Sequence, residues 1–273
     1  MTHNTTLSIA VVSGKGGVGK TNIALNLAYA LHRANQRVLL MDCDLGLANL
    51  DVLLGIAPKA SIEQVILGEA SFKEAIVSIE PGGFSLLPAS TGVEIFEEKS
   101  SPLRAAFIKQ LNTVAQKYDY LILDIGAGIT EIVQTFASKA TMRVVIVTPE
   151  PTSITDAYAL IKVLSTQRAM KDFYILVNQA ESPKEEKAAF TRLAAACDKF
   201  LGITLQSLGG ICYDPEMLQA VRRQQPLLKT SPSSPAGKDL VAAAVKIHKR
   251  KQSLTLPPDG PLVVGDTHHT ESD

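Results

Sequence analysis

The sequence predicts an α/β fold: a single domain built on a mostly parallel, twisted sheet of about seven or eight strands, with helices on both faces. Two features of pattern and one of size lead there. Short apolar runs rich in β-branched residues alternate with longer segments of helical periodicity, the order that builds βαβ units with right-handed crossovers. The first of these runs leads directly into a glycine-rich turn and a helix. The chain has 273 residues, 46% of them hydrophobic, and no internal linker divides it, which suits one large α/β domain.

Leu7-Ser8-Ile9-Ala10-Val11-Val12 reads as the first buried strand. Gly14-Lys15-Gly16-Gly17-Val18-Gly19-Lys20-Thr21 follows and fits the phosphate-loop pattern G-x-x-x-x-G-K-[ST], in the strand–turn–helix setting that the pattern requires. Thr21 to Ala34 then carries Ile23, Leu27, Ala30 and Leu31 at helical spacing. A strand, a glycine turn and a helix in this order aim backbone N–H groups and a helix N-terminus at one point, an anion site suited to a polyphosphate. Lys20 is placed to reach β- and γ-phosphates, and the Thr21 hydroxyl to ligate Mg²⁺.

Val38 to Met41 is the second strand, and it ends in Asp42-Cys43-Asp44. Residues two apart on a strand share a face, so both carboxylates can look toward the loop from the edge where open α/β sheets bind ligands. Either aspartate taken alone also fits a turn or a helix cap. Residues 61–79 read as two short helices capped by Ser61 and Ser71. Phe84 to Leu87 is a short strand with a turn after it, through Glu94, and Leu103 to Lys117 is helical. Tyr120-Leu121-Ile122-Leu123-Asp124 is a buried strand closed by an aspartate, the Walker B arrangement that holds Mg²⁺ through water. Gly126-Ala127-Gly128 after it gives a backbone free to close on a γ-phosphate and relax without it.

Val144 to Thr148 is another strand, followed by a helix capped by Thr152 or Ser153 and running to Leu164. Tyr174 to Asn178 is the next strand; Asn178 fits a strand-ending turn as well as a contact to an adenine edge. Lys184 to Phe200 is a helix of mixed charge, and Leu208 to Cys212 is the last strand, leading into Tyr213-Asp214-Pro215. A final helix spans about Gly237 to Lys249, which places the domain at residues 1–250. Residues 251–273 form a tail that breaks at Pro257-Pro258-Asp259-Gly260 and lacks periodicity through His268-His269, so disorder is expected there.

Lys+Arg and Asp+Glu balance at 27 each, which gives no global argument for nucleic-acid binding. Cys43, Cys197 and Cys212 show no metal-ligand spacing and cannot all pair, as in a reducing cytoplasm. No apolar run approaches the roughly 18 residues of a membrane span, and Met1 to Thr6 does not read as a signal peptide.

The Lys-Gly-Gly-Val-Gly-Lys-Thr of the loop, with its second lysine at Lys15, resembles the deviant Walker A ATPases of the MinD/ParA family. The resemblance covers residues 7 to about 250. Within the family the nearest pattern is the flagellar-number regulator branch (FlhG/FleN, YlxH-type). It is carried by Asp44-Leu-Gly-Leu-Ala-Asn-Leu-Asp-Val-Leu-Leu-Gly55, by Asp124-Ile-Gly-Ala-Gly-Ile129, and by Tyr213-Asp214-Pro215 with Ala220-Val-Arg-Arg-Gln224. The resemblance implies an ATP- and Mg²⁺-dependent ATPase that forms a nucleotide-sandwiched homodimer. Lys15 would reach the partner's phosphates, against the alternative of a solvated loop lysine. Asp44 would position the attacking water, and Thr21, Asp42 and Asp124 would hold the magnesium shell. Gly14 through Thr21, with Asn22, would cradle the phosphates, while Asn178, Tyr213 and Asp214 would border the base.

The resemblance further implies partnership with an FlhF-type GTPase or a flagellar basal-body or regulatory protein. Two family features have no counterpart in the sequence: a stimulatory helix ahead of the first strand, which begins at Leu7, and an amphipathic membrane helix at the end. Lys246 and Lys249-Arg250-Lys251 could touch anionic lipid at the inner face of the membrane or simply complement a helix C-terminus. A ParA-type segregation ATPase riding on DNA is the alternative function, thinly supported by Arg222-Arg223 and the same terminal cluster. An iron–sulfur carrier ATPase is disfavoured by where the cysteines fall.

Overall fold

The computed structural model describes residues 4–44, 48–89 and 101–263. Within them the chain runs β1 (Leu7–Val12), α1 (Lys20–Arg33), β2 (Val38–Cys43), α2 (Leu50–Leu54), α3 (Ile62–Ile66), α4 (Phe72–Ala75), β3 (Val77–Glu80), β4 (Phe84–Leu87) and α5 (Ser101–Ala115). It continues through β5 (Tyr120–Ile125), α6 (Glu131–Lys139), β6 (Met142–Val147), α7 (Pro151–Arg168), β7 (Tyr174–Ala180) and α8 (Pro183–Leu201). The last elements are β8 (Gln206–Cys212), α9 (Pro215–Arg222), α10 (Leu227–Thr230) and α11 (Pro235–Lys251).

The eight strands form one sheet in the order β3-β4-β2-β5-β1-β6-β7-β8. Every pairing is parallel except β3 with β4. Helices cover both faces, so β1, β2, β5 and β6 are buried at every position, as expected of a parallel sheet. Alternate residues of β1 feed two cores. Leu7, Ile9 and Val11 join Leu27, Leu228 and Leu240 on the α1, α10 and α11 side. Ala10 and Val12 join Leu111, Phe136, Leu160 and Leu193 on the side of α5 to α8. From β1 the chain moves outward to β2 on one side, and from β5 it crosses to β6 on the other. The crevice beyond the C-terminal ends of these strands is therefore the switch point at which such sheets bind ligands.

The structure corrects several expectations. Ser71 caps α4 with a reciprocal contact from Glu74, but the helical reading of 61–79 fails at its end. Val77-Ser78-Ile79-Glu80 alternates with period two and pairs antiparallel with β4. Helix α7 begins at Pro151, with Glu150 at the N-cap; proline at a first helical position loses no needed N–H. The Ser153 hydroxyl instead accepts the Thr148 N–H at 3.0 Å. Between Tyr213 and Ser231 the chain forms α9 and α10. The expected disorder from residue 251 onward does not describe residues 251–263, which pack across the N-terminal ends of the strands. Asn4 Nδ2 donates to the Pro257 carbonyl at 3.0 Å, Ser8 Oγ donates to the Pro261 carbonyl, and the Val263 N–H donates to the Lys139 carbonyl at 3.0 Å. Asn112 clips the backbone of buried Leu262 on both sides, at 2.8 and 2.9 Å. Prolines and a glycine exclude a helix here but not packing, because side-chain amides supply the partners that a ladder would. The turn through Glu94, Leu45–Leu47 of the aspartate run, and the chain after Val263 lie outside the described residues.

Candidate active site

The phosphate loop joins β1 to α1, and close packing dictates its glycines. A Cβ on Gly14 would fall 2.1 Å from the Asp156 carbonyl oxygen of α7. Gly19 has φ +84° and lies against Asn178, whose amide nitrogen would be 2.4 Å from a Cβ there, so only glycine fits on both counts. The structure puts Asn178 at the loop itself: its Nδ2 donates to the Val18 carbonyl at 2.8 Å, tying the end of β7 to the loop. Ser13 Oγ donates to the Lys15 carbonyl at 3.0 Å, and the Gly128 N–H to the Ser13 carbonyl at 2.9 Å. The glycine-rich turn after β5 is thereby held to the phosphate loop.

Lys20 opens α1 and is buried; its Nζ stands 2.6 Å from Asp124 Oδ1. Asp42 and Asp124 are register partners on β2 and β5, so both carboxylates emerge side by side at the ligand edge. Burial pushes Asp42 up to about 7, and the Asp124 charge adds to this. The N–H groups of Asp44, Leu50 and Asn49 pull the other way, donating to Asp42 at 3.0, 3.3 and 3.3 Å. Burial also raises Asp124, opposed by the Lys20 ammonium and the Thr21 hydroxyl. Its second oxygen, Oδ2, is buried without a hydrogen-bond partner among the described residues. Asp44 faces the second glycine turn, its Oδ1 3.2 Å from where a Cβ would sit on Gly126. Cys43, between the two aspartates, is buried with its thiol pushed far up by desolvation and by its acidic neighbours, so it stays protonated.

A cavity of about 610 Å³ opens here, lined among others by Gly16, Lys20, Thr21, Asp44, Asn49 and Ala127. Among the described residues no group of three His, Cys, Asp or Glu makes a metal cage. Mg²⁺ needs none, because it keeps water and phosphate ligands and takes one or two carboxylates. The orphaned Asp124 oxygen, the raised Asp42 and the Thr21 hydroxyl fit that role.

Lys15 points away from this cavity. Its Nζ meets Glu150 Oε2 at 2.6 Å and Thr152 Oγ1 at 3.2 Å on the exposed rim, and the ammonium holds Glu150 below the usual carboxylate range. Tyr213 is exposed beside the end of β7, its N–H donating to the Ala180 carbonyl at 2.9 Å. The Asp214 side chain is committed to structure: its oxygens accept the N–H groups of Glu216 and Ala236 at 3.0 and 3.1 Å, capping α9 and tethering α11. Sequence reasoning left Asn49 out of the site, although it stands in the aspartate run. It lines the cavity, and its Oδ1 is buried without a partner among the described residues. Glu150 and Thr152, as holders of Lys15, had no signal that spacing alone could give.

A protein-family model described as an AAA domain matches residues 6–174. The chain is 41% identical over 239 residues to the antiactivator FleN of Pseudomonas aeruginosa, covering 88% of this chain and 85% of that protein. It is 35% identical over 255 residues to the flagellum site-determining protein YlxH of Helicobacter pylori, covering 92% and 86%. Among solved structures, it resembles the septum site-determining protein MinD of Pyrococcus horikoshii complexed with Mg-ADP, with a TM-score of 0.75 and 25% identity over 90% of this chain and 97% of that one. It also resembles the MinC:MinD complex of Aquifex aeolicus, with a TM-score of 0.72 and 26% identity over 92% and 98%.

Proposed function

Because the chain belongs to the MinD/ParA family of P-loop ATPases, on the branch that holds FleN and YlxH, we propose that it is a dimerising switch regulating the number or placement of flagella. As in that family, ATP is the substrate and Mg²⁺ the cofactor. The observation that carries the switch reading is the division of the two loop lysines. Lys20 is buried at the carboxylates, whereas Lys15 is held on the rim by Glu150 and Thr152, where it can serve a second copy.

In this reading the loop N–H groups bind the phosphates, and Lys20 leaves Asp124 to neutralise the β- and γ-oxygens. Thr21, Asp42 and Asp124 would hold Mg²⁺, which would supply further neutralisation of the phosphate charge. Asp44, across from Gly126, orients the water whose oxygen bonds to the γ-phosphorus as the bridge to the ADP oxygen breaks. Asn178 and the Tyr213-Asp214 backbone border the base. Lys15 completes the partner's site. The reading implies two kinds of partner, a second copy and a flagellar protein, either an FlhF-type GTPase or a basal-body or regulatory protein.

The terminal cations give little to the DNA-riding or membrane-bound alternatives. Lys251 donates to the Asp119 carbonyl at 2.8 Å and lies over the Tyr120 ring. Arg250 is turned onto Tyr174 and Gln206, and Lys246 donates to the Leu208 carbonyl. No helix of the described residues is long and apolar enough to cross a membrane.

Asp44→Ala tests the reading. The variant should bind ATP, fail to hydrolyse it, and elute as a dimer with ATP and a monomer with ADP on size exclusion, while wild type drifts to monomer as ATP is consumed. Normal hydrolysis by the variant, or a monomer with ATP, would sink the switch assignment.

A further inference from the structure

Four described residues other than glycine have left-handed backbone: Asn35, Ala169, Gln179 and Gln224. Asn35 and Ala169 close α1 and α7, a routine use of that conformation. Gln179 lies where the register of β7 slips against β8. Gln224 follows α9 with φ +54°, where glycine or asparagine would be less strained, and its long side chain is in use. Its Nε2 donates to the Val52 carbonyl of α2 at 2.8 Å. Its side chain also lies on Gly55, the left-handed C-cap of α2 at φ +62°. A Cβ there would fall 2.9 Å from Gln224 Oε1 and 3.3 Å from Gln224 Cβ.

Helix α2 needs such a clasp. It has five residues, of which Leu50 alone is buried, and so short a helix does not stand without outside contacts. At its start the Asn49 and Leu50 N–H groups are held by Asp42 Oδ2. At its end the Gly55 N–H reaches the Val52 carbonyl at 3.2 Å, and Gln224 adds a second, shorter donor to the same oxygen from outside the helix. Gln224 is itself anchored, because α10, just after it, buries Leu227 and Leu228, and the Leu228 N–H donates to Asn26 Oδ1 on α1 at 3.1 Å. One end of α2 is thus fixed by the magnesium-side carboxylate and the other by a turn pinned to the helix that begins at Lys20.

We infer that Gln224 is a positioning residue for ATP turnover, holding α2 in the register in which Asp42 and Asp44 face the phosphate loop. The inference rests on the switch reading above. Three variants at position 224 separate geometry from fold. Gln224→Glu keeps the reach but removes the donor. Gln224→Asn suits the left-handed backbone but stops one methylene short. Gln224→Lys restores a donor of sufficient reach.

The Glu and Asn variants should lower kcat by about three- to tenfold, the value of one hydrogen bond, with ADP affinity unchanged. Gln224→Asn should melt within about 2 °C of wild type, and Gln224→Lys should recover most of the turnover. Gly55→Ala, which crowds the clasp from the other side, should lose turnover similarly and not add to Gln224→Ala. Turnover of the Glu and Asn variants within about twofold of wild type would overturn the inference. So would a loss of turnover matched by equal losses of ADP affinity and melting temperature, which marks a general structural role. A wild-type protein that does not hydrolyse ATP would overturn the parent reading, and this inference with it.

Discussion

The two ends of one sheet differ in how their buried charged groups are completed. At the N-terminal ends of the strands, Arg143 is buried yet donates to the carbonyls of Asp172, Ala137, Ala140 and Thr141 at 3.0, 3.3, 2.7 and 3.3 Å. Ser8 and Asn112 meet the closing segment of the chain. At the C-terminal ends, Asp42 and Asp124 stand side by side with their carboxyls pushed up by burial. Asp124 Oδ2 and Asn49 Oδ1 are buried without partners among the described residues. Burial is equal; satisfaction is not. Incompleteness alone does not mark a site, since His32 Nδ1 beside the start of β4 is also buried without a partner among the described residues. What distinguishes the C-terminal ends is that two unpartnered oxygens stand beside the phosphate loop, where a ligand can complete them.

Substitution at each end sharpens that contrast. Lys20→Ala should cut ATP turnover by at least about a hundredfold and abolish ADP binding, while melting close to wild type, because the raised Asp124 can take up a proton when its partner is gone. Wild-type nucleotide affinity in this variant would break the assignment of the ligand end. At the other end, Arg143→Ala strands several carbonyls and should cost about 3 kcal/mol of stability, read by urea denaturation, with ADP affinity of the folded protein unchanged. A loss of ADP affinity at constant stability would erase the distinction between the ends.

How far each end could be read in advance follows the same line. The ligand end was legible because its chemistry is written in short contiguous stretches: Gly14 to Thr21, Asp42 to Asp44, and Asp124 closing an apolar run. The parallel core was legible because strands buried on both faces show as unbroken apolar runs. Contacts between distant segments were not legible. Lys15 with Glu150 spans 135 positions and Gln224 with Val52 spans 172, and no local pattern announces either. Val77–Glu80 was missed because a four-residue strand is defined by its partner, β4. The segment from Leu254 to Val263 was missed because its order comes from Asn4, Ser8, Asn112 and Lys139, far away in sequence, and from no periodicity of its own.

The two ends should also respond to pH in opposite directions. Asp42 sits near 7 against an ordinary 3.8, so between these values the folded protein holds a proton that the unfolded chain has released. Ligand-free stability should therefore decline as pH rises from about 4 toward 7 and level off above that. At the opposite end, burial raises Asp119, but its hydrogen bonds from Arg37 and the guanidinium charge outweigh this and hold it below 3.8. Its contribution is present above about pH 4 and is lost as pH falls further. Acid below about pH 4 should thus loosen the Arg37–Asp119 end, and the rise from there to neutrality the ligand end. Mg²⁺ reverses the second trend, because it needs the ionised carboxylate. Mg²⁺-dependent ADP affinity should rise about tenfold from pH 6 to pH 8, following the ionised fraction of a group near 7. Asp42→Asn should flatten the stability slope between about pH 4 and 7 and the Mg²⁺ dependence around neutrality, and leave the acid limb below about pH 4 in place, whereas Asp119→Asn should do the reverse. Thermal melts from pH 3 to pH 9, with and without Mg²⁺ and ADP, read all of these slopes. If the slope between about pH 4 and 7 survives in Asp42→Asn, the titrating group is not at the paired carboxylates, and the contrast between the two ends loses its electrostatic basis.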